Sequence, residues 1–320
     1  MSLSSKLRIF FTTDVHGSEK CFMKFVNAGK FYNANVVILG GDITGKLLVP
    51  IVEKDGRYSC TLMKSQEEAN SKEELSALEK KIRNMGYYTY VTTTTEIEQL
   101  RNNRDAVDKL LTKLMCESIE KWIRITEERL RETGIKCYIS PGNDDRLEID
   151  QVLSKSDYVI NPEGRVVQLD SSHEMITLGY ANMTPWKCPR DIPESELQTK
   201  IESLTSQVKN FETSIFCFHC PPFDSVIDLA PELDGNLTPV LAPGGGPRMM
   251  PTGSPSVRAA IERFQPLLGL HGHIHESRGN IKIGRTICLN PGSEYTEGIL
   301  RGALIDIDET KVTDFMLTAG

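Results

Sequence analysis

No run of apolar residues in this sequence approaches the roughly 20 needed for a helix to cross a bilayer, so no membrane span is expected. Positive charge is also short. The 37 Lys and Arg stand against 44 Asp and Glu, a formal net charge of −7, which argues against a surface that holds nucleic acid or anionic lipid by bulk attraction. A phosphate-bearing substrate would need a local positive centre instead. The dense cysteine framework of small secreted domains is missing too. The eight cysteines, Cys21, Cys60, Cys116, Cys137, Cys188, Cys217, Cys220 and Cys288, are scattered through apolar stretches and read as reduced, mostly buried thiols. Lys6 and Arg8 precede a short apolar run broken at Thr12, Thr13 and Asp14, so the N-terminus fails as a signal peptide and a cytoplasmic location is expected. There is no internal repeat.

What is present is 320 residues, enough to bury a stable core without covalent staples. Leu7 to Thr13 is rich in β-formers and runs directly into Asp14-Val15-His16-Gly17. Asn35 to Leu39 is continuously apolar, the pattern of a strand covered on both faces, and ends at Gly40-Gly41-Asp42. Between them, Lys20 to Tyr32 has helical spacing. Residues 46–134 change to charged sequence of helical period, notably Glu67 to Met85 and Arg104 to Glu132, and read as a helical insertion or cap within one domain spanning 1–320. Gly134 suits the helix stop, after which Lys136 to Ser140 reads as a strand ending at Pro141-Gly142-Asn143-Asp144-Asp145. Further strands are expected at Glu174 to Gly179, Ser214 to Phe218, Leu267 to Leu270, Arg285 to Leu289, Gly302 to Ile307 and Lys311 to Leu317. Helices are expected near Ser195 to Asn210 and Ser256 to Phe264, with Pro239 to Pro255 a loop by composition.

Five places share one feature: an apolar strand-like run, then a cluster of Asp, His or Asn, most with Gly beside it. They are Asp14-Val15-His16, Gly41-Asp42, Gly142-Asn143-Asp144, His219 and Gly272-His273-Ile274-His275. The carboxyl ends of strands line the ligand crevice of an α/β sheet, so these side chains are expected to converge. Residues two apart on an extended segment share a face, which pairs Asp14 with His16 and His273 with His275. Mixed imidazole and carboxylate donors suit manganese, iron, zinc or nickel better than magnesium or calcium. Seven donors are too many for one tetrahedral ion. Two divalent ions about 3.5 Å apart, sharing a carboxylate, would use them all, and such pairs suit attack on phosphorus.

The ordered set Asp-x-His, Gly-Asp, Gly-Asn, His, Gly-His-x-His, running from Asp14 to His275, resembles the signature of the calcineurin-like metallophosphoesterases. His219-Cys220-Pro221-Pro222 and Asn290-Pro291-Gly292-Ser293 resemble prokaryotic and archaeal members in particular. The resemblance implies an α/β fold, a four-layer αββα sandwich of two mixed sheets with helices outside. It implies that Asp14, His16 and His275 hold one ion, that Asp42 bridges, and that Asn143, His219 and His273 hold the other. The reaction implied is hydrolysis of a small phosphomonoester or phosphodiester, a nucleotide among the candidates, by a metal-bridging hydroxide. Many members follow Gly-Asn with a His that serves the leaving oxygen, and here Asp144 stands there. An ionised Asp would repel phosphate unless burial or a neighbouring carboxylate raised its pKa; Asp145 offers such a neighbour, or a partner for His16. The other reading is a phosphoesterase-like binding or regulatory protein with little catalysis, although members of that kind tend to lose metal ligands and none is lost here.

Several features read more plainly. His271 reads as structural beside the site, and His173 as a surface loop residue. Cys217 and Cys220 have the C-x-x-C spacing but would point to opposite faces of a strand. Gly244-Gly245-Gly246 lacks the strand, helix and lysine of a phosphate loop and reads as a rim loop, with Arg248 a candidate phosphate contact.

Overall fold

The computed structural model describes residues 6–320. The continuous apolar runs become strands buried on both faces. In β1 (Leu7–Thr12) the side chains of Leu7, Ile9 and Phe11 enter one apolar layer, while Phe10 enters another. The same alternation splits Val36 and Ile38 from Val37 and Leu39 in β2 (Val36–Gly40). A strand with apolar residues at every position has no solvent face to offer, so it demands a layer on each side.

The first sheet adds β3 (Lys136–Ser140), β4 (Val159–Ile160), β11 (Arg301–Ile307) and β12 (Val312–Ala319), in the order β12-β11-β1-β2-β3-β4. The second is built from β5 (Val166–Gln168), β6 (Glu174–Leu178), β7 (Ser214–Phe218), β8 (Leu268–Leu270), β9 (Gly279–Ile283) and β10 (Thr286–Asn290), in the order β9-β10-β8-β7-β6-β5. Both are mixed. β1 through β4 run parallel, and so do β6, β7, β8 and β10, while β11, β12, β5 and β9 pair antiparallel with their neighbours. Between the sheets lies a core drawn from both, including Ile9, Phe11, Ile38, Ile215, Leu268 and Ile305. Outside the first sheet pack α1 (Glu19–Phe31), α4 (Arg104–Leu130) and α5 (Glu148–Leu153); outside the second pack α6 (Glu194–Thr205) and α7 (Pro255–Phe264). The architecture is the four-layer αββα sandwich expected.

Residues 46–134 hold α2 (Lys72–Asn84) within the stretch Glu67 to Met85, whose first residues are instead strand, and α4 within Arg104 to Glu132, together with a further short helix, α3 (Thr94–Arg101). Beside them stands a four-stranded sheet of Leu48–Lys54, Arg57–Leu62, Ser65–Ala69 and Tyr88–Thr93, closed onto α2 through Val49, Ile51, Leu62, Leu78 and Ile82. The second half of α4 belongs to the sandwich: Trp122 stacks on Phe22 with ring centroids 4.0 Å apart, and Ile119, Ile123 and Leu130 share its core. The stretch 239–255 is only partly a loop, because Met249–Pro251 pairs with Leu229–Pro231 to form an arm. Arg248 on that arm is engaged by Glu232.

His173 is buried, at 2% exposure, against the expectation of a surface residue. Its Nδ1 faces both Asp170 carboxylate oxygens at 2.9 Å and its Nε2 faces the carbonyls of Asp308 and Glu309 at 3.2 Å. Sequence could not show that the β11–β12 turn folds over this loop. No helix among the described residues is long and apolar enough to cross a membrane.

Candidate metal centre

The site forms where β1, β2, β3, β7 and β8 end, on one rim of the sandwich. Past the strand ends the β1 and β2 chains stay paired, Asp14 N donating to Gly41 O at 3.0 Å and His16 N to Asp42 O at 2.9 Å. The backbone there is left-handed: φ is +54° at Asp14, +40° at His16, +48° at Asp42 and +68° at His273. Asp and His tolerate this region better than most residues, yet each such conformation costs on the order of 1 kcal/mol and persists only where the surroundings impose it. Glycine beside the ligands has a steric reason. A Cβ on Gly41, itself at φ +124°, would lie 2.2 Å from His219 Nδ1, and one on Gly142 would lie 2.2 Å from Asp42 Oδ1.

All seven expected ligands come together. Asp14, His16 and His275 form one group whose donor atoms lie within 4.8 Å of one another, and Asp42, His219 and His273 form a second. Asn143 joins the second, its Oδ1 2.8 Å from His273 Nδ1. The groups adjoin: His219 Nε2 is 3.3 Å from Asp42 Oδ1 and 3.8 Å from Asp14 Oδ1, and His16 Nε2 is 3.6 Å from Asp42 Oδ2. A third combination, His16, Asp42 and Asp144, meets the same distance limit.

These donors fit a cation. His16 Nε2 and His275 Nε2 face each other at 3.0 Å, and both point toward Asp14 Oδ1, at 3.9 and 3.3 Å. A proton on one of them would make an ordinary N–H···N hydrogen bond, and a cation in the same place would instead take both lone pairs. His219 Nδ1 lies 3.1 Å from Gly40 O, which assigns its proton to Nδ1 and leaves the buried Nε2 without a hydrogen-bond partner, directed at the carboxylates.

The electrostatics follow from burial. Removal from water and the nearby His275 push His16 down to about 3, and burial with His219 pushes His273 down to about 4. Both therefore keep free lone pairs at neutral pH. Burial alone would raise Asp14, but His219, His275 and His16 hold it well below the usual carboxylate range. Burial raises Asp42, with Asp144 and Asp14 adding to it against the pull of His219. His219 is raised in turn by Asp42 and Asp14, against its own burial.

Of the neighbours that fix these ligands, Ser293 and Asp145 stand in the motifs read from sequence and the others have no signature there. Asn143 Nδ2 donates to Asp191 Oδ1 at 2.8 Å, which turns Oδ1 inward. Ser293 Oγ donates to Asp14 O at 2.6 Å, and the Tyr295 ring sits 4.7 Å from that of His16. Arg190, 1% exposed, donates to Asp145 O at 2.9 Å, Arg146 O at 3.2 Å and Asp150 Oδ1 at 2.9 Å, holding the loop that carries Asn143. The Asp145 carboxylate hydrogen-bonds to neither Asp144 nor His16. It accepts from the amides of Gly142, Ile43 and Thr44 and from the Thr44 hydroxyl, tying the β2 and β3 loops together. Asp144 is held below the usual range: burial opposes this, but Lys46, His16 and the Cys188 thiol prevail. Lys46 lies four residues beyond Asp42 on the same loop, the one trace that the sequence offers of it. His271 is structural as expected, with Nδ1 2.7 Å from Phe218 O.

No protein-family model matches the chain. Over its full length the fold is similar to TT1561 of Thermus thermophilus, with a TM-score of 0.53 and 14% identity covering 99% of each chain. A much fainter likeness, TM-score 0.34 and 9% identity over 97% of this chain and 98% of the other, is to YfcE, a phosphoesterase from E. coli. In sequence the chain is 31% identical over 198 residues to the uncharacterized protein MJ1162 of Methanocaldococcus jannaschii, covering 60% of this chain and 80% of MJ1162. With that identity over that share of its relative, the chain belongs to the family of MJ1162.

Proposed function

We propose that this protein is a metal-dependent phosphoesterase that holds two divalent transition-metal ions and hydrolyses a small phosphate ester. The observation that carries the reading is the pair of adjoining groups, Asp14-His16-His275 and Asp42-His219-His273, with Asp42 and Asp14 each within 4 Å of His219 and His16. Asp14, His16 and His275 would hold one ion, Asn143, His219 and His273 the other, and Asp42 both. When bound, such a pair activates water and neutralises charge that develops on phosphoryl oxygens. The chain's own residues supply the rest. Gly40 O fixes the His219 tautomer, Asp191 aims Asn143, and the Asp144 amide, donating to Asp42 Oδ1 at 3.0 Å, orients the shared carboxylate. The eight free cysteines fit a reducing compartment, in keeping with a cytoplasmic enzyme.

The test is reconstitution of metal-stripped protein with manganese, nickel or zinc, followed by assay on p-nitrophenyl phosphate and bis-p-nitrophenyl phosphate. Turnover should require metal and fall at least a hundredfold in Asp42→Asn, a loss of the size seen when one transition-state stabilising group is removed. Silence with every metal would favour the binding-protein reading, and an Asp42→Asn variant as active as wild type would remove the site from the chemistry.

A further inference from the structure

The position where the family resemblance places a His is occupied here by a three-residue assembly. Asp144 Oδ2 takes an ion pair from Lys46 Nζ, and Oδ1 accepts from the Cys188 thiol at 2.7 Å. The carboxylate is nearly covered, at 11% exposure, and lies 3.9 Å from His16 Nδ1. The Lys46 side chain is 55% exposed. It is therefore on the open side of the pair, while its charge is felt at Asp42, His16 and Tyr295.

From this geometry we infer that Lys46 is a phosphate-binding residue of the centre, its ammonium held by Asp144 and offered to a phosphoryl oxygen that the ions leave free. The inference rests on the phosphoesterase reading and adds to it the cation that a protein of net charge −7 needs locally. An ionised Asp144 alone would repel an incoming phosphate at this short range. Paired with Lys46 it becomes a mount for positive charge. A lysine ammonium has three N–H donors, so one can stay on Asp144 while another meets the substrate, and the four-carbon stem gives it reach. Arg248, the other cation considered for this role, is occupied by Glu232. Cys188 bonds the carboxylate oxygen that Lys46 leaves, and so fixes the carboxylate plane from which the ammonium projects.

The test uses the full chain loaded with manganese, reading metal uptake by elemental analysis, inorganic phosphate binding by calorimetry, and KM and kcat on p-nitrophenyl phosphate. Lys46→Ala should take up metal as wild type does, while phosphate affinity falls and KM rises roughly 10- to 100-fold, the range of one charge-assisted hydrogen bond. Lys46→Arg should recover most of the loss, because it restores the charge. Both effects should shrink at high salt, since the group is half-exposed. Wild-type phosphate affinity in metal-loaded Lys46→Ala would overturn this inference alone. Failure of the wild-type protein to take up metal would overturn both it and the function on which it rests.

Discussion

Arg190 shows how much of the site depends on a residue that touches no substrate. Its guanidinium is buried, yet it reaches two main-chain carbonyls and one carboxylate, and it lies 5.8 Å from the centre of the Tyr180 ring. Arg190→Met keeps most of the volume and removes all three hydrogen bonds. The carboxylate of Asp150 is 36% exposed and can return to water. The carbonyls of Asp145 and Arg146 cannot do so as easily, and a buried acceptor left without a partner costs about 1–3 kcal/mol. Adding the lost packing on Tyr180 gives a destabilisation of about 3–5 kcal/mol, the range seen when one member of a buried ionic network is removed. Urea unfolding of the metal-free protein, with an unchanged slope against denaturant, would measure it. Arg190→Lys should fall between, since one ammonium cannot span all three acceptors. A loss below about 1 kcal/mol in Arg190→Met would refute the reasoning, because the loop carrying Asn143 would then be held by other means.

Other outcomes follow from the same geometry. Gly142→Ala should abolish metal uptake or destabilise the fold by several kcal/mol, since its Cβ would meet Asp42 Oδ1 at 2.2 Å and Asp42 N at 2.3 Å; metal content and unfolding midpoint report which. Burial pushes His271 down to about 4, below its unfolded value, so the folded state resists the proton that the unfolded state accepts. The stability this imidazole permits is present above about pH 6.5 and is lost as pH falls toward 4, by up to roughly 3 kcal/mol. His271→Gln should flatten that part of the pH profile in denaturant titrations, and an unchanged slope would count against it. Tyr88→Phe leaves the Gly45 amide without its partner at 3.0 Å, and should cost about 1–2 kcal/mol in thermal or urea unfolding.

The strand-end motifs were legible because each joins a pattern with a physical cause to a residue type with a chemical one. Leu7 to Thr13 read as a strand from its β-formers and Asn35 to Leu39 as one covered on both faces, and the Asp, His and Asn that follow such runs stand where a parallel sheet opens its crevice. One strand of the small sheet within 46–134 was illegible for the opposite reason. Ser65–Ala69 reads Ser-Gln-Glu-Glu-Ala, poor in strand formers, and it pairs only because Arg57–Leu62 lies beside it. Lys46, Cys188, Asp191 and Arg190 escaped because their roles are defined by what they approach from distant parts of the chain. His173 was misplaced because its cover arrives from residues 308–309, 135 positions later.

The path of the chain through α4 bears on how this molecule can be altered. Removing everything between residues 46 and 134 would appear to trim an accessory, but it would also strip Ile119, Trp122, Ile123 and Leu130 from the packing on Phe22 and α1. It would remove Lys46 from the rim as well. A shortened version that keeps this packing must therefore retain the part of α4 from Ile119 onward.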